Sequence, residues 1–179
     1  LGAAGSNDVV SGSGFKAGTY TLSETGGPSG YTASLWSCTG KTVTSNQVTI
    51  NLGDEVTCTI TNDDQPGTLI VNKVLTNDNG GTKTVQNFSY TVNAGSPVAF
   101  EADASNSQTV NAGSYSVAEV ADNDYTTTYA NSLNGNANCS NLAVPNGGTV
   151  TCTITNNDKA PKLTLVKEVT NDNGGTRQA

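Results

Sequence analysis

The stretch VTCTITNDD at Val56–Asp64 returns as VTCTITNND at Val150–Asp158, changed only at its eighth letter. Apolar and polar residues alternate through both copies with a period of two, the pattern of a strand with one buried face. Cys58, Ile60 and Asn62 then share one side, as do Cys152, Ile154 and Asn156. An apolar face that closes on a carboxamide is what the rest of the chain must explain.

Working outward, Asn62 and Asn156 lie 94 positions apart, and so do Lys73 in TLIVNKVLTNDNGGT and Lys167 in LTLVKEVTNDNGGT. Glu24 in GTYTLSE and Glu119 in GSYSVAE are 95 apart. The spacing predicts a tandem array with a unit of about 94 residues, the size of one small domain. On this reading, 1–64 is an incomplete repeat lacking its opening strands, 65–159 is a complete repeat, and 160–179 carries the first strand of another. The chain opens on Leu1 instead of Met, which suits a mature or excised piece of a longer array.

Composition points the same way. Of 179 residues, 34% are hydrophobic and 13% charged, with 20 Gly and many Thr, Ser and Asn, a mixture suited to short strands and polar turns. No window sets apolar residues at helical spacing, and none is long and apolar enough to span a bilayer, so direct membrane insertion is not expected. The net charge of −7, with eight scattered basic residues, excludes the positive footprint that nucleic acid needs.

There are four cysteines, Cys38 and Cys58 in one unit and Cys139 and Cys152 in the next, each pair with one member in the final strand. This reads as one disulfide per unit in an oxidising, extracellular compartment. A structural metal site is the competing reading, but the chain has no His and no CxxC. No metal or cofactor is expected.

Alternation and turn signals predict an all-β chain of tandem Ig-like or prealbumin-like β-sandwiches. In the complete unit the expected strands are Thr68 to Leu75, Asn87 to Asn93, Pro97 to Glu101, Gln108 to Val110, Tyr115 to Val120, Tyr125 to Ala130 and Thr149 to Thr155. In the first unit they are Thr19 to Glu24, Tyr31 to Cys38, Gln47 to Leu52 and Glu55 to Thr61.

Parity along these strands isolates three polar residues. Leu69, Val71 and Lys73 point one way, as do Tyr115, Val117 and Glu119, and Cys152, Ile154 and Asn156. The partial units repeat the rule with Leu163, Leu165 and Lys167, with Tyr20, Leu22 and Glu24, and with Cys58, Ile60 and Asn62. Taken singly, a Lys or Glu at a strand end turns to water and an Asn before Asp makes a turn. Recurring together on the core side, an amine, a carboxyl and a carboxamide are expected to meet, because each alone would be costly to bury.

With LIVNK in the first strand, GSYSVAE in the middle and TCTITN at the end, the unit resembles the Cna protein B-type or SpaA-like domains, of prealbumin-like fold. These occur in Gram-positive pilins and adhesin stalks. The resemblance implies an intramolecular isopeptide bond between Lys73 as nucleophile and Asn156 as electrophile, with Glu119 moving protons; Glu24, Asn62 and Lys167 are the equivalents in the incomplete units. An apolar surround favours the neutral amine that attacks, and a carboxyl kept protonated by burial stabilises the intermediate. Such a bond forms once per molecule, so no enzyme turnover is expected.

The implied function is a structural stalk or fibre segment at a cell surface. The alternative is an adhesin module that recognises a glycan or matrix protein. Expected partners are neighbouring repeats or identical subunits. The first unit has Glu24 and Asn62 but no preceding Lys strand, and the tail has the Lys strand alone, so donor-strand complementation between copies stands beside the plainer reading of a longer array. Two further sites are conceivable from residue type: calcium at the TNDNGGT turns of 76–82 and 170–176, and a sugar platform of Tyr31 and Trp36.

Overall fold

The computed structural model describes residues 10–27, 29–133 and 138–178. The chain divides into two compact units, one of Leu1–Thr68 with Thr109–Ala112 and Val144–Thr149, the other of Leu69–Gln108, Gly113–Ala143 and Val150–Ala179. Fifteen strands are assigned among the described residues, and the one helical element among them is a three-residue 3-10 turn at Val85–Asn87.

Among the described residues before Gly67, the first unit contains three two-stranded ladders. β1 (Gly18–Thr21) pairs with β4 (Gln47–Ile50), β2 (Tyr31–Ala33) with β6 (Asn62–Asp64), and β3 (Ser37–Cys38) with β5 (Cys58–Thr59). Cys38 faces Cys58 across the last ladder and is bonded to it. Of the described residues before Gly67, only Val48 is a fully buried apolar side chain; Tyr20, Leu22, Cys58 and Ile60, on the faces predicted to be inward, are half-buried, as is Ile50.

The second unit holds a closed core. β7 (Gly67–Thr76), β10 (Ser105–Val110), β13 (Tyr125–Asn131) and β15 (Thr149–Asp158) form a four-stranded sheet in the order β10-β7-β15-β13. A second layer contains β12 (Val117–Glu119), β8 (Ser89–Val92) and β9 (Val98–Ala99), and β11 (Gly113–Tyr115) pairs with β14 (Leu142–Val144). Leu69 and Val71 from β7 and Val150, Cys152 and Ile154 from β15 are buried against Phe88, Tyr90, Phe100 and Val117. At roughly 1.5–3 kcal/mol for each large apolar side chain, this alternating set is what closes the sandwich.

Several strands differ from expectation for physical reasons. The run expected at Tyr115 to Val120 is two strands, because the chain changes partner at Ser116, leaving β14 for β8. There the Ser116 N–H donates to Asn93 Oδ1 at 2.8 Å and its hydroxyl accepts the Asn141 N–H at 3.2 Å. The run at Tyr31 to Cys38 also divides, into β2 and β3. β14 was not expected, since its two inward residues, Leu142 and Val144, are too few to show a period. No strand forms in 160–178; Leu163 and Leu165 are 83% and 86% exposed, and an isolated strand with no sheet to join has little to hold it.

A buried Lys-Glu-Asn cluster as the candidate functional site

Three strands of the second unit deliver the site. β7 ends its buried run Leu69, Val71 with Lys73, and β15 ends Cys152, Ile154 with Asn156; the two strands are neighbours in the four-stranded sheet. Glu119 comes from β12, in the other sheet, and reaches across the core. The side chains of Lys73 and Glu119 are 0% and 1% exposed, and Asn156 is fully buried.

The three groups meet. Lys73 Nζ donates to Asn156 Oδ1 at 2.7 Å and is ion-paired to Glu119 Oε1. The same nitrogen lies 4.1 Å from the centre of the Phe88 ring and 5.2 Å from that of Phe100, so its remaining surround is aromatic. Burial pushes the Lys73 amine below the usual lysine range, against the opposing pull of Glu119.

One atom of the cluster is left over. Asn156 Nδ2 is buried and has no hydrogen-bond partner. A buried donor in that state costs on the order of 1–3 kcal/mol, and native cores rarely keep one without a reason.

Four residues outside the sequence reading complete the site. Phe88 and Phe100 wall the amine, Thr127 donates its hydroxyl to Glu119 Oε2 at 2.7 Å, and Tyr129 OH accepts the Glu119 backbone N–H at 3.1 Å. Parity from Tyr125 puts Thr127 and Tyr129 on the core side of β13, and that signal would have found both.

Beyond the cluster, the turn that follows β7 is tied down by Asp158, two residues past Asn156. Its carboxylate accepts the backbone N–H groups of Asp78, Asn79 and Gly81 at 2.7–3.1 Å. A Cβ on Gly81 would stand 2.6 Å from Tyr125 OH and 2.8 Å from Asn77 Oδ1, so any larger residue here must displace those side chains. Burial acts to raise the Asp158 pKa, but the N–H groups of Gly81 and Asn79 outweigh it and hold the carboxyl below its usual range. These bonds use the Asp158 oxygens internally, and among the described residues no three His, Cys, Asp or Glu side chains group as a metal site requires.

In the first unit, Glu24 and Asn62 are also adjacent, with Asn62 Nδ2 donating to Glu24 Oε1 at 2.6 Å. Among the described residues no lysine bonds to either. Lys167 lies in the strandless tail. Tyr31 is exposed and Trp36 half-buried, and no ring contact joins the two. The second disulfide joins Cys139, just before β14, to Cys152 on β15. Among the described residues no helix is long and apolar enough to cross a membrane.

The fold and the cluster together define a β-sandwich of prealbumin-like architecture whose core holds a Lys, a Glu and an Asn in contact. The family of prealbumin-like fold domains, of SpaA type, matches residues 1–60 and 64–154, and the chain belongs to that family. Two similar solved structures are major pilin proteins of Streptococcus pyogenes. The T3.2 protein from serotype GAS13637 aligns with a TM-score of 0.39 and 13% identity, over 76% of this chain and 65% of its own. The T-13 protein from serotype GAS131465 aligns with a TM-score of 0.39 and 16% identity, over 84% of this chain and 70% of its own. The chain thus spans less than two thirds of the T3.2 pilin. No curated protein matches it.

Proposed function

We propose that the chain is a load-bearing segment of an extracellular fibre or stalk, of the pilus or adhesin type, and that its second unit closes itself with an isopeptide bond between Lys73 and Asn156. The observation that carries this reading is the orphaned Asn156 Nδ2 beside an amine 2.7 Å from the same carboxamide. The nitrogen without a partner is the one the reaction expels.

The step balances on the residues present. One proton passes from Lys73 Nζ to Glu119 Oε1 across their ion pair, leaving a neutral amine. Nζ bonds to Asn156 Cγ, one bond beyond the oxygen it now contacts; the Cγ–Nδ2 bond breaks; the Glu119 proton and one from Nζ leave with Nδ2 as ammonium, which departs as ammonia and a proton, and Glu119 returns to carboxylate. The new amide keeps one N–H, which Glu119 accepts, so the product contains no orphan. Amides resist amines in water, and fixed positioning of the two groups lowers the barrier, by up to about 7–11 kcal/mol where reacting atoms are well aligned. The aromatic walls exclude the water that would compete. Reaction occurs once per unit, which is self-modification without turnover.

The mechanical consequence follows from position. Lys73 and Asn156 sit on the first and last strands of the unit, 83 residues apart in sequence. Tension entering through β7 would leave through β15 along the new bond, and the residues between would stay unloaded. The two disulfides, each tying a late strand of its unit, suit an oxidising cell-surface location. Single-molecule pulling tests this: the second unit should release no chain between 73 and 156, whereas release of that whole length would contradict it.

A second feature supports assembly through partners. Glu24 and Asn62 already touch in the first unit without a lysine, and the tail carries the segment LTLVK with its apolar residues exposed. A Lys-bearing first strand from a neighbouring repeat or an identical subunit would complete that half-buried face by donor-strand addition. Denaturing gels after incubation of the pure chain should show covalent oligomers linked Lys167 to Asn62; a chain that remains wholly monomeric contradicts complementation between these copies.

A further inference from the structure

The isopeptide reading explains Lys73, Glu119 and Asn156, but not why Glu119 is gripped from a fourth strand. Thr127 lies directly opposite Asn156 in the antiparallel β13–β15 register, and its hydroxyl bonds Glu119 Oε2 at 2.7 Å. Thr127 therefore stands beside the electrophile and holds the acid, linking the strand of one to the side chain of the other across the sandwich. With Oε2 occupied, Oε1 is the oxygen that meets Lys73 Nζ.

The first unit provides the comparison. Its β2–β6 ladder keeps the same register, with Tyr31 opposite Asp64 and Ala33 opposite Asn62, as Tyr125 is opposite Asp158 and Thr127 opposite Asn156. Ala33 stands where Thr127 does, and Leu35 where Tyr129 does. Ala33 offers no hydroxyl and no lysine bonds there among the described residues; the exposed carboxylate of Glu24 binds the amide nitrogen of Asn62 at 2.6 Å. In the second unit the matching nitrogen, Asn156 Nδ2, has no partner.

We infer that Thr127 is a positioning residue for the Lys73–Asn156 condensation: by holding Glu119 Oε2, its hydroxyl reserves Oε1 for the lysine proton and keeps Glu119 off the Asn156 amide nitrogen until Nζ has attacked and that proton passes to the leaving group. This rests on the isopeptide reading above. A Glu119 bonded to Nδ2 would stabilise the unreacted carboxamide and lose its alignment with Nζ. Kept away, it leaves the carboxamide as the less satisfied state, which the loss of ammonia relieves. The first unit, with Ala33, would accept a lysine strand more slowly than the second.

The test follows ammonia loss by intact mass while the full chain refolds from denaturant in oxidising buffer, with closure of the Cys139–Cys152 disulfide in the same spectra as the measure of folding. Thr127→Ala, the residue the first unit carries there, and Thr127→Val should slow the loss about tenfold or more while the disulfide closes normally. Thr127→Ser, which restores the hydroxyl, should return the rate to within about twofold of wild type. A folded Thr127→Val reacting as fast as wild type, or a Thr127→Ser as slow as Thr127→Ala, overturns the role of Thr127 and leaves the isopeptide reading standing. A wild-type chain that folds, closes its disulfide and never loses ammonia overturns both.

Discussion

Lys73 Nζ stands 2.7 Å from Asn156 Oδ1, although the two residues are 83 positions apart in the chain. Neighbouring strands of one sheet bring them together at the end of two apolar runs, and Glu119 meets them from the opposite sheet. The adjacency is thus a product of the completed sandwich, and any condensation between them must follow folding.

Asn156→Ala removes the electrophile and leaves the Lys73–Glu119 ion pair. Treated like a disulfide across the same loop, the lost bond should lower stability by about 4 kcal/mol, since the unfolded chain regains the entropy that closure of the loop removed. Chemical denaturation of the two proteins measures this directly; equal midpoints would mean that the wild type carries no such bond.

The same variant should show a pH dependence that the wild type lacks. Burial lowers the pKa of the folded Lys73 amine below its ordinary 10.5, so between the two values the unfolded state binds more protons than the folded one. Stability of Asn156→Ala should therefore rise with pH from the lowered value up to 10.5 and level off beyond. A lysine converted to an amide no longer titrates, and the wild-type curve should lack that rise.

The sequence TNDNGGT occurs twice, once tied to Asp158 and once in the tail, where Asn171 Nδ2 donates to Arg177 O and Asn173 Nδ2 to Asp172 Oδ1. Hydrogen exchange should find the amides of Asp78, Asn79 and Gly81 protected and those of Asp172, Asn173 and Gly175 fast. Asp158→Ala should equalise the two sets and lower the melting temperature. Protection of 78–81 that survives Asp158→Ala would deny the carboxylate its part.

Replacing Cys139 and Cys152 with Ala should cost about 3 kcal/mol, the usual value for a loop of this length, yet leave the ammonia deficit intact because the reacting groups are those of Lys73, Glu119 and Asn156. Calorimetry with intact mass separates the two effects. A variant that folds but loses no ammonia would show that the disulfide sets the register of β15.

Much of this was legible because strands transmit position with a period of two. Counting from Leu69, Tyr115 and Cys152 placed Lys73, Glu119 and Asn156 on inward faces, and the structure brings them into contact. What parity could not supply was partner choice. The switch at Ser116 depends on Asn93 and Asn141, and β14 on two residues. Asp158 carried no reading of its own, because its partners are backbone N–H groups that carry no sequence signature. The tail repeats the letters of β7, but a strand is a relation between chains of hydrogen bonds, and letters alone do not provide the second strand.

The central claim is tested most directly by the intact mass of the reduced, denatured chain, followed by peptide mapping. The account predicts a deficit of one ammonia for a monomer, located in a branched peptide that joins Lys73 to Asn156. The full calculated mass, with Lys73 and Asn156 recovered in separate peptides, would contradict it.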